Sequence, residues 1–319
     1  MNGALIISLD FELLWGVFDT IDYINKKSYF QNTRAVIPAI LKEFQDNNIH
    51  ATWATVGMLF NKDWKEWEDN VPRVLPEYKN RKLSAYDFGR KNKGVHTEDL
   101  CFAPDLIDQI LNTSGQEIGT HTYSHYYCLE PDQTAEAFKQ DLKQSIHLAE
   151  KVGVELKSLV FPRNQINEDY LNICADLGII NVRSNPQSWY WNNSRSEALV
   201  TKLARTGDAY LPLGKKSYSR AELQDSTGFP LTQRASRFLR PIEENRHLRK
   251  FKLKRILQEM ESAAQNGEIY HLWWHPHNFG DNPAESINDL RILIEEYSDL
   301  NRKYDFRSLN MMELGESFS

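Results

Sequence analysis

The first hydrophobic run of the chain, residues 4–9, shows no alternation of polar and apolar positions and ends at Asp10. Such a run is typical of a strand that is buried on both faces, as in a parallel sheet or a barrel. Residues 33–46 instead repeat apolar side chains at helical spacing, including Val36 and Ile40, and predict an amphipathic helix. The two patterns continue to alternate: strands are predicted over residues 49–56, 117–121, 156–161, 179–182, 269–274 and 306–309, and helices over residues 104–112, 134–152, 169–177, 246–265 and 283–299.

This alternation of strands and helices is typical of βαβ units. About six or seven such units predict an α/β fold, a distorted barrel formed by a single domain of residues 1–319. In barrels of this type the active site lies at the carboxyl ends of the strands. Two segments are polar, aromatic and irregular, and we interpret them as long insertions: residues 61–104 and 184–245.

Composition and charge narrow the class of protein. Hydrophobic residues make up 41% of the chain and charged residues 26%, so a globular protein is predicted rather than a disordered one. The net charge of −6 argues against a dedicated nucleic-acid binder with a basic face. The three cysteines are widely spaced, which excludes a disulfide framework and a thiolate zinc site. Because no secretion signal or membrane span is recognisable, we expect a soluble, cytoplasmic protein.

Several of the predicted strands end in residues that can carry chemistry. Because the carboxyl ends of barrel strands meet at one rim, these side chains are expected to converge. They are Asp10 and Glu12 after the first strand, His121 and His125 after the third, Arg163 after the fourth, and His275 and His277 after the strand at 269–274.

His121 and His125 form an H-x-x-x-H pair. On a helical turn, two imidazoles at this spacing lie on one face and can share a cation, and imidazole suits zinc and similar divalent metals. His271 and His275 repeat the spacing, but within a predicted strand, so the first pair is the favoured metal site. The alternative is that His121 and His125 are hydrogen-bonded histidines of the core.

A site with two histidines needs at least one further ligand, commonly a carboxylate, and an open position for water. Asp10 and Glu12 supply two carboxylates at one strand end. One can balance the charge of a metal, and the other can take a proton from water. His275 can act as the opposite acid and protonate a leaving amine. The alternatives are a merely solvated Glu12 and a packed strand histidine at position 275.

Four segments together resemble the NodB-type polysaccharide deacetylases, the superfamily of carbohydrate esterase family four. Residues 5–10 are similar to the first strand of that family, residues 51–57 (ATWATVG) to its second strand, and residues 272–275 (LWWH) to its late histidine motif. The most specific match is EIGTHTYSH at residues 117–125. The resemblance implies a distorted (β/α)7 barrel that removes acetyl groups from N-acetylated sugars with one divalent metal, usually zinc.

The resemblance also implies roles for the two carboxylates. By this likeness Asp10 is the catalytic base and Glu12 is the third metal ligand; the reverse assignment, or Asp10 in both roles, stays open. The adjacent Asp-Asp pair of the family is here Asp10-Phe11-Glu12. In this respect the chain is similar to atypical members, which include cytosolic deacetylases and cyclic-amide hydrolases.

The R-P-P-Y segment of the family corresponds to residues 161–165, FPRNQ, so Arg163 is a catalytic candidate at an offset position. No aspartate partner for that arginine is evident in the sequence. Arg183 and Trp189 are alternative residues that could line the site.

Aromatic faces stack on sugar rings, so aromatic residues near the strand ends are candidates for substrate contacts. Trp189 and Trp191 share parity in a predicted loop and are the favoured pair. Trp273 and Trp274 have opposite parity, so at most one of them faces the barrel interior. Packing in the core is the alternative for each tryptophan. The predicted substrate-binding residues are Trp15, Tyr126, Arg183, Trp189, Trp191, Trp274 and His277.

Residues 234–255 hold nine basic and two acidic side chains above an apolar stripe. A solvated amphipathic helix is one interpretation. Attraction to phosphate is the other, either at an anionic membrane surface or on a lipid- or nucleotide-linked sugar.

Together these observations predict a cytoplasmic, metal-dependent sugar N-deacetylase in the synthesis of a surface polysaccharide of O-antigen or capsule type, with zinc as the expected metal. The expected substrate is an N-acetylated sugar on a nucleotide or lipid carrier, and no nucleic-acid partner is expected. One alternative is hydrolysis of another amide, such as a formamide or a cyclic ureide. The other is an inactive barrel that binds a glycan or a partner protein.

Overall fold

The computed structural model describes residues 2–191, 198–208, 210, 214–223, 230–242 and 245–318. The strands within these residues are β1 (Ala4–Phe11), β2 (Ala51–Thr55), β3 (Gln116–Thr120), β4 (Ser158–Val160), β5 (Asn181–Ser184), β6 (Leu231–Arg234), β7 (Arg237–Phe238), β8 (Ile269–Trp274) and β9 (Arg307–Leu309). The helices are α1 (Lys27–Asp46), α2 (Trp64–Asp69), α3 (Ala85–Asn92), α4 (Val95–Cys101), α5 (Pro104–Leu111), α6 (Ala135–Lys151), α7 (Leu171–Asp176), α8 (Leu199–Gly207), α9 (Arg246–Asn266), α10 (Pro283–Tyr304) and α11 (Met311–Glu316). In the described part of the chain, none of these helices has the length and apolar composition that a membrane crossing requires.

The strands form one curled sheet in the order β6-β5-β4-β3-β2-β1-β8-β7, with β9 paired to β1. Each of these pairs is parallel. The two end strands, β6 and β7, are consecutive in the chain and are separated only by Ala235 and Ser236. Ala235 N–H donates to the carbonyl of Ser184 and Ser236 N–H to that of His271. One segment thus passes from β5 to β8 and brings the ends of the sheet together, which confirms the predicted barrel.

Alternate residues of β1 and β8 face opposite sides of the sheet. On β1, Ala4 and Ile6 pack inside the barrel against Met311 and Leu314 of α11. Asp10 has the same parity as Ala4 and Ile6, so it also faces the interior, but at the carboxyl end of the strand. The residues of odd parity on β1 and of even parity on β8 pack outward against the helices: Leu5, Ile7, Leu9, Phe11, Tyr270, Leu272 and Trp274.

The segment 61–104 was predicted to be irregular, and this prediction is wrong in part, because it contains α2, α3 and α4. Asp63 and Ser84 cap α2 and α3, since their side chains accept the backbone N–H groups of Glu66 and Asp87. The helices are too short to show a helical period in the sequence. An aromatic cluster holds them on the barrel: Trp15, Trp64, Trp67, Phe88 and Phe102.

Several basic side chains of the segment 234–255 form ion pairs with acidic residues of the same fold. Glu243 and Glu244 of this segment lie outside the described residues. The ion pairs of the described part include Arg234–Glu222, Arg237–Asp208, Arg237–Glu259, Arg249–Asp289 and Arg255–Glu259. Lys252 is buried and donates to the carbonyls of Arg240 and Pro241. This pairing favours a structural role for the segment over the predicted attraction to phosphate or to a membrane.

Candidate metal centre and active site

Asp10 and Glu12 are both buried at the carboxyl end of β1, but they have different partners. The carboxylate of Asp10 forms a bidentate ion pair with Arg183 of β5, at N–O distances of 2.6 and 2.8 Å. The guanidinium of Arg183 lies 4.3 Å from the centre of the Trp273 ring. Both oxygens of Asp10 are therefore paired with Arg183. Glu12 is the carboxylate that faces His121 and His125.

Burial alone would raise the pKa of Asp10, but the charge and hydrogen bonds of Arg183, together with the nearby His121 and His275, outweigh burial and hold the pKa below its ordinary value. Asp10 is therefore ionised at neutral pH. Behind the ion pair, Ser8 accepts a hydrogen bond from Arg183 at 3.0 Å, and its hydroxyl lies 2.8 Å from Nε2 of His271. Burial lowers the pKa of His271 to about 3, so its ring is neutral.

Glu12 faces two histidines. Its Oε2 atom lies 3.4 Å from Nε2 of His121 and 3.2 Å from Nε2 of His125. Nδ1 of His121 lies 2.8 Å from the carbonyl oxygen of Val160, which can only accept, so this nitrogen carries a proton. Nε2 of His121 is then the ring nitrogen that faces the carboxylate of Glu12.

One ligand atom from each of Glu12, His121 and His125 lies within 4.8 Å of the others, and all three side chains are buried. A set of one carboxylate and two imidazoles is a donor set that suits zinc and leaves a fourth position open. These residues therefore fit a divalent metal.

The histidine pair lies in a loop and not in the helical turn that its spacing suggested. Thr122 and His125 have φ angles of 62° and 55°, in the left-handed region, and the ring centres of the two histidines are 5.0 Å apart. Asp141 of α6 holds this loop, because its carboxylate accepts the backbone N–H of Tyr123 at 2.7 Å and the hydroxyl of Ser124. Burial raises the pKa of Asp141 to about 6 in spite of these hydrogen bonds.

The substitution Asp141→Asn is expected to lower the zinc affinity of the chain by about 10–100-fold, the usual effect of losing a residue that orients metal ligands. An amide has one acceptor oxygen where the carboxylate has two, so one N–H or O–H group of the loop loses its partner. Competition with a chromophoric chelator measures the affinity. Asp108→Asn, on the exposed face of α5, is the matched control. Unchanged affinity in Asp141→Asn would show that Asp141 does not position the ligands.

His275 and His277 approach the two carboxylates from β8. Nε2 of His275 lies 3.7 Å from Oδ2 of Asp10 and 3.8 Å from Oε1 of Glu12, and Nδ1 of His277 lies 3.7 Å from the same Oε1. The His275 side chain is 24% exposed, against 3% for both carboxylates, so it is the member of the cluster that solvent reaches. Burial lowers the pKa of His277 to about 3, which keeps this ring neutral.

Glu12 remains an anion in this enclosure. Burial would raise its pKa, but the interactions of Glu12 with His275, His125 and His121 together outweigh burial and hold the pKa well below its ordinary value. Its side chain occupies the space beside Gly16, where an added Cβ would lie 1.9 Å from Cδ of Glu12. Position 16 must therefore lack a side chain for Glu12 to turn toward the histidines.

The sequence profile of the polysaccharide deacetylases matches residues 16–182, slightly more than half of the chain, and includes the histidine loop. The chain belongs to the polysaccharide deacetylase family. A comparison of the sequence with curated proteins gave no match.

Solved structures share the fold of this family member. A candidate polysaccharide deacetylase from Mycobacterium smegmatis has a TM-score of 0.61 at 14% identity, over 99% of this chain and 90% of that one. Puue allantoinase has a TM-score of 0.57 at 11% identity, over 99% and 90%. The 4-alpha-glucanotransferase from Thermococcus litoralis has a TM-score of 0.53 at 13% identity, over 99% of this chain and 38% of that one. At such low identity these similarities concern the fold and leave the reaction open.

The arginine that reaches Asp10 in this family member is not the one favoured from the sequence. Arg163, predicted as catalytic, forms an ion pair with Asp19 at 2.6 Å and lies over the ring of Tyr127 at 4.3 Å. No contact between Arg163 and Asp10 is present among the described side chains. Arg183, predicted as a substrate contact, takes that position, and Asn164 accepts a hydrogen bond from it at 3.1 Å.

Three of the predicted substrate contacts are core residues. Trp15, Tyr126 and Trp274 are each 0% exposed, so none of them is accessible to a sugar. Trp15 belongs to the aromatic cluster, and Trp274 stacks on Phe279 outside the barrel. By parity the interior tryptophan of β8 is Trp273, and alternation along the strand was the signal that could have identified it.

Trp189 and Trp191 lie in a 3₁₀ turn after β5. The Trp189 side chain is 61% exposed and makes an edge contact with Tyr190 at 5.4 Å. Binding of sugar by these two tryptophans stays a prediction. The sequence analysis did not assign roles to Ser8, His271 or Asp141; the first two share interior parity with Asp10, whereas Asp141 carries no local signal.

Proposed function

We propose that the chain is a metal-dependent N-deacetylase of an N-acetylated sugar. One observation supports this most directly: a Glu-His-His donor set lies beside a carboxylate held by arginine and opposite a partly exposed histidine. Metal-dependent hydrolysis of an amide uses these three elements, namely a site for a Lewis acid, a base for water and an acid for the leaving amine.

Glu12, His121 and His125 would hold the metal. When bound, a divalent ion of this type polarises a carbonyl oxygen and lowers the pKa of water. The hydrogen bond from Nδ1 of His121 to the carbonyl of Val160 orients one imidazole for this role. The negative charge of Glu12 offsets part of the charge of the ion in a buried site.

Asp10 would be the base. Its carboxylate is ionised. Asp10 lies near the end of β1, two residues before Glu12, and the ion pair with Arg183 fixes its position. In the reaction it accepts a proton from the water that attacks the acetamide carbon. The bidentate ion pair limits rotation of the carboxylate, so little reorganisation accompanies the proton transfer.

His275 would be the acid. Its Nε2 atom faces both carboxylates, and its side chain is the exposed member of the cluster. As the C–N bond of the acetamide breaks, His275 donates a proton to the nitrogen, and the products are acetate and a free amino sugar. The contact of its ring with that of His277, at 4.9 Å and nearly parallel, holds it in this direction.

The pathway of surface-polysaccharide synthesis, the carrier of the sugar, the choice of zinc and the cytoplasmic location stay predictions from the sequence. Hydrolysis of a cyclic ureide on the same site is the competing proposal.

The experiment that tests the proposed function measures acetate and free amine released from a panel of N-acetylated sugars, with zinc added and with chelator. We expect zinc-dependent release of both products in equal amounts. Glu12→Gln is the control for a contaminating deacetylase. Opening of the allantoin ring to a ureido carboxylate, without deacetylation, would favour the competing proposal, and no turnover on any substrate would favour an inactive barrel.

A further inference from the structure

A cavity of about 480 Å³ lies beside the proposed active site and is not lined by any of its residues. Two segments form it: the loop that follows the 3₁₀ turn Leu13–Gly16, and the helix α3 with the residues just before it. A volume of this size falls in the range of cavities that hold small ligands, about 300–1,000 Å³. The cavity therefore has room for one or two sugar units.

The floor of the cavity is aromatic. The ring of Phe88 lies 5.1 Å from that of Phe18 and 5.9 Å from that of Tyr23, measured between ring centres. The hydroxyl of Tyr23 donates to Oδ1 of Asn92 at 3.1 Å, which fixes the edge of the floor. Aromatic faces of this kind stack on the apolar faces of sugars.

The carboxylates of the cavity are already engaged by protein groups. Asp19 is paired with Arg163 and Asp87 with Arg81. Asp22 accepts hydrogen bonds from the backbone of Ile24 and the side chain of Asn25, which closes its own turn.

Lys82 and Lys91 also line the cavity, and both are exposed. Neither forms an ion pair with another residue in the part of the chain that the structure describes. Asp22 likewise has no ion pair among the described residues, so the unpaired charges of the lining, two lysines and one aspartate, sum to +1.

The cavity shares a wall with the metal centre. Asp19 lines the cavity, and its partner Arg163 lies over the ring of Tyr127 at 4.3 Å. The ring of Tyr127 in turn contacts that of His125, with centres 5.1 Å apart. A ligand in the cavity would thus lie on the far side of Asp19 and Arg163 from the proposed metal.

From these observations we infer that the cavity binds the part of the substrate next to the acetamido sugar, and that this part is an anionic carbohydrate group. The inference rests on the proposed function, since it treats the neighbouring site as a sugar site. Phe18, Tyr23 and Phe88 contact the ring, and Lys82 and Lys91 contact the anion. The anion is the phosphate of a nucleotide-linked sugar or the carboxylate of a uronic acid, since both groups accept charge-assisted hydrogen bonds.

The test measures binding to the full chain by calorimetry at low salt, with probes that have no acetamide and so cannot be turned over. The probes are UDP-glucose for phosphate, cellobiouronic acid for carboxylate and cellobiose as the neutral ligand. The variant Lys82→Glu/Lys91→Glu reverses both cavity charges. Lys65→Glu/Lys79→Glu makes the same change at exposed positions of the same segment outside the cavity and is the matched control.

We expect at least one anionic probe to bind more tightly than cellobiose, and the cavity variant to weaken its binding by about tenfold or more, because two attractive contacts become repulsive. The control variant should bind as the unaltered chain does. The anionic probe that loses affinity identifies the anion.

Equal binding of charged and neutral probes, equal effects of the two variants, or no binding of any probe would each overturn the inference. Because the readout is binding, loss of the proposed deacetylase activity would leave this result standing. Conversely, a chain that releases acetate but fails this test has the proposed function without the cavity site.

Discussion

Asp10→Asn is expected to lower kcat for acetamide hydrolysis by about 10²–10⁴-fold, the usual contribution of a general base. The amide cannot accept the proton from water, whereas the carboxylate, held ionised by Arg183, can. The metal affinity should stay nearly unchanged, because Glu12 and not Asp10 faces the two histidines. Initial rates of acetate release and zinc content after desalting measure the two effects.

Arg183 loses its anionic partner in this variant, so thermal unfolding must be followed on the same samples. Asp289→Asn is the matched control, because Asp289 is also a buried partner of an arginine, Arg249, but lies on α10 outside the cluster. Release of zinc by Asp10→Asn, together with its retention by Glu12→Gln, would reverse the assigned roles of the two carboxylates.

The second large effect is expected for Glu12→Gln, which should weaken zinc binding by more than about 100-fold, since the loss of an outer partner alone costs about 10–100-fold. The neutral amide removes the charge that offsets the ion and the oxygen that faces Nε2 of His121 and His125. Deacetylation should be lost at limiting zinc. Chelator competition and zinc content of the desalted protein are the measurements.

Glu117→Gln is the control for this variant. Glu117 is also buried in the barrel, but on β3, where it accepts hydrogen bonds from Thr52 and from the backbone of Met312. Zinc binding by Glu12→Gln as tight as that of the unaltered chain and of Glu117→Gln would exclude Glu12 as a ligand, whatever the activity of the protein.

The elements that carry the site could be predicted from the sequence where local pattern decides them. The run at 269–274 coincides with β8 (Ile269–Trp274), because consecutive apolar and aromatic residues suit a strand buried on both faces. The predicted helix at 246–265 agrees with α9 (Arg246–Asn266), whose end is set by Gly267 in the left-handed conformation. The short helices α2–α4 were missed, since six to eight residues are too few to show a period.

The partner of Asp10 could not be predicted in this way. Arg183 lies 173 residues away in the chain, and only the curvature of the sheet brings β5 across the barrel from β1. Arg163 was predicted as the catalytic arginine because its segment corresponds to the R-P-P-Y motif of the family. In the structure it forms an ion pair with Asp19, a residue of the loop after the first strand. Which carboxylate an arginine side chain reaches depends on the tertiary structure, so the local sequence pattern does not predict it.

Local pattern in the sequence was enough to predict a barrel of alternating strands and helices with carboxylates and histidines at its rim, because strand parity and strand ends are local properties of the chain; the motifs in addition indicated the polysaccharide deacetylase type. Which carboxylate faces the histidines and which faces an arginine depends on the tertiary structure. Asp10, near the end of β1, and Glu12, just beyond it, have the same parity, so pattern cannot separate them. Arg183, reaching across the barrel, binds the first and leaves the second to face the histidines.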